Sequence, residues 1–401
     1  MKVDEILMVV IGLLSFIILY KIFKGSLIEG VESIACNENN CSCTLSNPCK
    51  CVDKCSGRGC NAKNINNCAY CGYDKNISKN CEICPCCPAE MIDYVIFSNG
   101  HLQPDSYLFE IIKPKSKSPF KINKLKHELK IHDLSDHYPA IGTFIKKDVT
   151  LKVFNYNVFA RWTMAGQEAQ VDRLKEIPNY IPTDIDVITI QEAWCPGDIF
   201  VCLNNNSRDI LTGGLNNIGF TYKTEVIGIK NANNKLKPIC FTNGGVIIYS
   251  KHKIIGDPHY EIFEDSGGDD QLACKGFISI HIKKGDIDYT IISAHLQAWI
   301  VNKDIRMKQL QQIKNYIVSN ETNLKKHMVI ISADMNIDLI QDKGEYTKMI
   351  HILGSDGLPS NFMNNIIASS DPYSNTLVGM DGAAKDLSCN DEYYDNLLKI
   401  K

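Results

Sequence analysis

An α/β fold class is predicted for the larger part of this 401-residue chain. Two observations carry the prediction. From about residue 91 onward, short apolar runs alternate with polar loops and helix-compatible stretches, the texture of strands and helices packed in layers. Several of those runs end on a carboxylate, amide or imidazole, as happens where α/β enzymes set chemistry at the carboxyl edge of a sheet. With 44% hydrophobic residues the chain can bury a large core. Its net charge of −3, from 43 basic and 46 acidic side chains, gives no bulk attraction to polyanions.

Residues 6–20 form an apolar run broken only by Ser15. With Lys21 snorkelling, the run reaches residue 23, just under the roughly 20 residues that a spanning helix needs. Residues 1–24 are therefore expected to be a membrane anchor, ahead of a cleaved signal peptide, because no small-x-small site follows. A single-pass membrane protein is the expectation, its main domain luminal, extracellular or on a virion, and secreted if the segment is cleaved. Lys2 on one flank and Lys21 with Lys24 on the other do not set the orientation.

Residues 25–88 read as a separate Cys-rich linker. Thirteen of the 18 cysteines fall between residues 36 and 87, where large aliphatic residues are almost absent. Such a segment has no hydrophobic core and must be stapled. Cys68 and Cys71 with Cys81 and Cys84 have a zinc-like C-x-x-C spacing; disulfides are the favoured alternative. The odd count leaves one cysteine to stay free, bind metal or pair outside the segment, with Cys389 the nearest candidate.

In the third segment, residues 89–401, the strand ends are the informative feature. The run 151–156 leads into Asn157; 186–190 into Gln191 and Glu192; 289–294 into His295; 328–333 into Asp334 and Asn336. A single Asp-x-Asn after a strand is more often a turn, and a single histidine is more often a hydrogen-bonded core residue. Together, however, the four ends supply a metal carboxylate, an acid or base and oriented amides. That set suits Mg²⁺ bound through hard oxygen ligands and a phosphoryl transition state.

The segments VFNYNVFAR, ITIQEAW, SAHLQAW and SADMN, in that order, resemble the endonuclease/exonuclease/phosphatase superfamily. Its remaining Asp-Tyr and Ser-Asp-His signatures do not follow Asn336. They stand upstream instead, as MIDYVIFS at 91–98 and LSDHYPAIGTF at 134–144. The resemblance therefore implies a DNase I-like four-layer sandwich of two mixed β-sheets flanked by helices, circularly permuted over residues 89–401. The old termini would be joined by a hairpin through residues 145–150. Within the superfamily, HLQA at His295, FTNGGVIIYSKHKI at 241–254, CKGF at 274–277 and CPCCPAEMIDY look like neutral and bacterial sphingomyelinases.

The resemblance implies Mg²⁺-dependent hydrolysis of sphingomyelin to ceramide and phosphocholine, with Mn²⁺ or Co²⁺ as alternative ions. It implies that Glu192 and Asn157 hold the metal and that His137 is the general base, oriented by Asp136 or Asp334. His295 would stabilise the transition state or assist the leaving oxygen, and Asn336 would contact phosphate. The interval 99–133, dominated by lysines, is expected to be a hairpin, either simply solvated or a basic face toward lipid headgroups. The remaining histidines, His281 and His327 among them, receive no role. Two other classes stay open: a nuclease or inositol phosphatase with the same metal site, and a catalytically dead membrane-anchored binding protein. Nucleic acid is expected as a partner only under the first of these, and nothing in the sequence sets the oligomeric state.

Overall fold

The computed structural model describes residues 90–370, apart from 125–126, 161–168, 195–205, 229, 234–239, 241, 300–301, 322–325 and 341. All of them lie in the unit Glu82–Lys401. The apolar run, the Cys-rich segment and Cys389 lie outside the described residues.

Two mixed β-sheets form the centre. The first contains β1 (Asp93–Phe97), β10 (Ile254–Ile262), β11 (Gly276–Lys284), β12 (Ile287–His295) and β13 (His327–Asp334), in the order β1-β13-β12-β11-β10. β12 and β13 run parallel and the other pairs antiparallel. The second contains β2 (Ser106–Ile111), β5 (Ala140–Lys146), β6 (Val149–Ala160), β7 (Val187–Ala193), β8 (Tyr222–Lys223) and β9 (Ile247–Ser250), in the order β2-β5-β6-β7-β9-β8, with β6 and β7 parallel. β3 (Lys115–Lys124) and β4 (His127–Asp133) pair as a separate antiparallel ribbon, the hairpin expected in the lysine-rich interval.

The central strands are apolar along nearly their whole length because both faces are covered. Val329, Ile330 and Ile331 of β13 and Ile291 and Ile292 of β12 are all fully buried. The sheets pack face to face, β1 against β5 and β6 and β13 against β6 and β7. Helices α1 (Gln170–Glu176) and α2 (Asn206–Asn217) cover the outer face of the second sheet, while α3 (Lys303–Asn320) and α4 (Lys343–Leu353) cover that of the first; a short helix, α5 (Ser360–Met363), follows. On α3, Leu310, Ile313 and Ile317 recur at helical spacing and are fully buried. Arg306 of α3 makes a buried two-point ion pair with Glu345 of α4, Nε to Oε1 at 2.8 Å and Nη2 to Oε2 at 3.0 Å. This two-sheet α/β sandwich is the fold class that the sequence predicts.

The expected junction is a hairpin. β5 and β6 pair antiparallel from Ala140↔Asn155 to Lys146↔Val149. Its turn is Lys147-Asp148, with Lys147 at φ 52 and its N–H donating to Asp105 Oδ2 at 2.7 Å.

The expected membrane localisation is corrected. Among the described residues no helix is long and apolar enough to cross a membrane. The 18-residue α3 carries Lys303, Asp304, Arg306, Lys308 and Lys314, charges that a bilayer core would not admit. One disulfide, Cys240–Cys274, joins the segment before β9 to the start of β11; neither cysteine belongs to the segment that composition marked for stapling.

Candidate active site

Register alone aligns three of the site residues. Asp93 opens β1 opposite Asp334 at the end of β13, and Asp334 lies beside His295 at the end of β12. The second sheet brings Asn155 and Asn157 from β6 and Gln191 and Glu192 from β7, with Asn157 beside Gln191. The pairing of β6 with β7 shifts register between Asn157 and Ala160. There Glu192 takes φ 57, and beyond β13 Asn336 takes φ 51. Left-handed non-glycine residues cost on the order of 1–3 kcal/mol each and persist where the surroundings over-determine them. Ala193 N–H bonds Gly245 O at 2.9 Å, and Asn336 N–H bonds Asp334 Oδ1 at 3.0 Å. Gly245, at φ 69, is required by this packing, since a Cβ there would lie 3.2 Å from Glu192 Cα.

Asp136 and His137 arrive on the segment before β5. Buried Arg173 of α1 ties that segment to the end of β6, donating to Leu134 O at 2.7 Å and to Val158 and Phe159 O at 3.1 and 2.8 Å. Ser135 Oγ donates to Asn157 O at 2.6 Å. From the other side Tyr138 N–H bonds Ser369 O. Ser369 Oγ accepts from Asp93 N–H at 3.1 Å, so one short segment positions both Asp93 and the residue after His137.

The side chains converge in a buried cleft. His137 Nδ1 lies 2.7 Å from Asp93 Oδ2 and His137 Nε2 4.0 Å from Asp334 Oδ2. His295 Nε2 lies 3.6 Å from the same Asp334 oxygen. Asn157 Nδ2 donates to Glu192 Oε1 at 3.1 Å and to Asp334 Oδ2 at 3.0 Å. Behind them, Asn155 Nδ2 donates to Asp93 Oδ1 at 3.1 Å, and Asn155 Oδ1 accepts from Gln191 Nε2 and Thr189 Oγ1, both at 2.9 Å. This polar seam joins the two sheets under the cleft.

Every sequence-derived site residue is thus brought to the place where the ends of the two sheets face each other, with these differences of detail. The carboxylate on His137 Nδ1 is Asp93, not Asp136 or Asp334. Asn157 Oδ1 accepts from Phe159 N–H at 3.1 Å, and its amide NH₂ bridges Glu192 Oε1 and Asp334 Oδ2. Asn336 Nδ2 donates to Leu296 O at 3.1 Å. Asp136 Oδ1 lies 3.1 Å from Ser135 Oγ, whose proton goes to the closer Asn157 O. Lys275 was missed although CKGF was noted. Its buried Nζ donates to Asp270 Oδ2 at 2.8 Å, Leu296 O at 3.0 Å and His295 Nε2 at 3.2 Å. An ammonium only donates, so His295 Nε2 accepts from it.

Negative charge dominates the cleft. Burial, reinforced by the charge of Asp93, pushes the Asp334 carboxyl up to about 7. Burial disfavours charge on His137, but Asp93, together with Asp136 and Asp334, holds its imidazole well above the ordinary range. Three carboxylates, Asp93, Glu192 and Asp334, are each less than a tenth exposed. A buried surplus of carboxylate oxygens suits a hard divalent cation. One ligand atom from each of Asp93, His137 and Asp334 falls within a 4.8 Å cluster.

Comparison with known proteins agrees with this geometry. Residues 241–368 match the model of Endonuclease/Exonuclease/phosphatase family 2. Among curated proteins it is similar to Sphingomyelinase C 2 of Leptospira interrogans, at 31% identity over 51% of this chain and 33% of the relative. It is also similar to Sphingomyelinase C of Listeria ivanovii, at 28% identity over 61% of this chain and 69% of the relative. Sphingomyelinase C of Bacillus cereus is 30% identical over 51% and 63% of the respective lengths. The chain thus spans from a third to about two thirds of these relatives. Among solved structures it is similar to Staphylococcus aureus beta toxin with bound magnesium ions, at 23% identity and TM-score 0.43 over 51% of this chain and 70% of that one.

Proposed function

We propose that this chain carries an endonuclease/exonuclease/phosphatase domain and is a Mg²⁺-dependent phosphodiesterase that hydrolyses sphingomyelin to ceramide and phosphocholine. The observation that carries the reading is the convergence of the Asp93–His137 pair with Asp334, His295 and Glu192 where the ends of the two sheets meet. Similarity to sphingomyelinases C supports the choice of lipid over DNA or inositol phosphate. The nearness of the segment 134–144 to the other motifs, together with the β5–β6 hairpin, supports the permuted reading.

Glu192 and Asp334 are the oxygen donors best placed to hold the cation, with Asn157 bridging and orienting them. When bound, the cation neutralises charge that builds on the phosphoryl oxygens. Asp93 fixes His137 with Nδ1 as the donor; in the neutral form of the ring, which the charge of a bound cation would favour, Nε2 takes a proton from the attacking water. The water oxygen bonds to phosphorus and the bond to the ceramide oxygen breaks. That oxygen takes up a proton relayed through His295 Nε2 from the Lys275 ammonium that donates to it. Asn336, held beside Leu296, is placed to contact phosphate.

The test is phosphocholine release from sphingomyelin dispersed in detergent, with Mg²⁺, with EDTA, and with Mg²⁺ restored. Release that EDTA abolishes and Mg²⁺ restores is the expected result. DNA cleavage or inositol phosphate hydrolysis with no phosphocholine release would overturn the lipid assignment. No activity on any of these substrates would favour the binding-protein reading.

A further inference from the structure

A second cluster of ligating side chains stands at the opposite end of the first sheet. His281 lies on β11 opposite Thr290 of β12, His327 opens β13, and Glu321 directly follows α3. Asp334 stands seven residues beyond His327 on the same strand, roughly 23 Å away at about 3.3 Å per residue. The cluster is therefore separate from the catalytic edge.

Its hydrogen bonds leave a gap where a cation fits. Glu321 is 3% exposed. Its Oε2 accepts from Thr290 Oγ1 at 2.8 Å, while its Oε1 is buried with no hydrogen-bond partner among the described residues. A carboxylate of this kind only accepts, so the Thr290 proton points at Glu321. The Thr290 oxygen then accepts from His281 Nδ1, 3.1 Å away. That places the ring proton on Nδ1 and turns the Nε2 lone pair of His281 toward Glu321 Oε1, at 3.6 Å. Two acceptors thus face each other. His327 Nδ1 approaches Glu321 Oε2 at 3.7 Å, and one ligand atom from each of the three residues falls within a 4.8 Å cluster.

These separations are too long for hydrogen bonds; a proton on Nε2 would draw the pair to about 2.8 Å. They lie within a few tenths of an ångström of the roughly 3.3 Å between ligands that sit about 2.0–2.1 Å from a tetrahedral ion. Thr290 supplies the outer hydrogen bond that fixes the ring of a metal-bound histidine. The two imidazoles are 37% and 29% exposed, so the solvent side is open to a fourth ligand.

We propose that His281, Glu321 and His327 bind one divalent transition-metal ion of the zinc class. Two imidazoles and one carboxylate favour Zn²⁺ or Co²⁺ over Mg²⁺, which prefers an all-oxygen shell. The ion would pin the end of α3 to β11 and β13.

The test uses the full chain in excess Mg²⁺, so that the catalytic edge is supplied with its own ion. Zn²⁺ is measured by equilibrium dialysis and Co²⁺ by its d–d absorption. Because the Cys-rich segment can take zinc of its own, the deciding quantity is the difference between wild type and variants. His281→Ala and His327→Ala should each lose one equivalent of zinc, or weaken that site at least about a hundredfold. They should also lose the part of the cobalt spectrum that lacks thiolate charge transfer. Thr290→Val keeps all three ligands and should weaken the site about 10–100-fold, which provides a test should the alanine variants not fold. Glu192→Gln should leave the site unchanged. Equal zinc content and equal affinity in wild type and variants would overturn the proposal.

Discussion

Asp93→Asn isolates the contact that the proposed mechanism depends on most. The substitution keeps the shape of a side chain that is fully buried and bonded on both oxygens, to His137 Nδ1 at 2.7 Å and to Asn155 Nδ2 at 3.1 Å. Asn155 offers an N–H, so the new carboxamide turns its oxygen toward Asn155 and its NH₂ toward His137. Facing a donor, His137 Nδ1 must become the acceptor, and the ring proton moves to Nε2. Nε2 then has no lone pair for water. The expected loss is that of a general base, about 10²–10⁴-fold in kcat, or roughly 3–5 kcal/mol of barrier. The assay is initial-rate phosphocholine release at saturating Mg²⁺, with the thermal midpoint measured on the same preparation. A folded variant that keeps activity within about tenfold of wild type would refute the role of the Asp93–His137 pair.

Three further outcomes follow from the same geometry. His295→Ala should lower turnover by at least about a hundredfold in protein that circular dichroism shows to be folded; near wild-type activity in a folded variant would remove His295 from the reaction. Reducing Cys240–Cys274, or replacing both cysteines by serine, opens a link across a sequence separation of 34. It should cost up to about 4 kcal/mol on a chain-entropy estimate, read from urea unfolding with and without reductant. Burial alone would raise the Asp186 carboxyl, but donors from His252, Lys284 and the Lys152 N–H hold it below its ordinary 3.8. A depressed carboxylate contributes stability that is present above 3.8 and is lost as pH falls through the lower folded value. Asp186→Asn should therefore reduce stability near neutrality and shrink the further loss below pH 3.8, as seen in thermal midpoints across that range.

The expected membrane localisation illustrates what composition does not settle. An apolar run licenses only the statement that it approaches spanning length; among the described residues the 18-residue α3 is a charged helix clamped through Arg306 and Glu345. The Cys-rich segment lies outside the described residues; the disulfide among the described residues joins two isolated cysteines that strand packing brings together.

Most of the candidate site was legible in the sequence because strand ends announce themselves. A run of apolar residues that stops on Asn157, Glu192, His295 or Asp334 is a local pattern, and chain order does not alter it. Asp93 and Lys275 stood in motifs that were noticed without being given a role, because their partners lie 44 and 20 residues away and periodicity carries no information at that range. Which carboxylate meets His137, which way Asn157 turns its amide, and why Glu192 and Asn336 adopt left-handed backbone were decided by the order and register of two sheets. Those depend on how the whole apolar surface is buried at once. The chemistry available to the protein was written in residue types at strand ends, and the pairing that would make it a mechanism came only from packing.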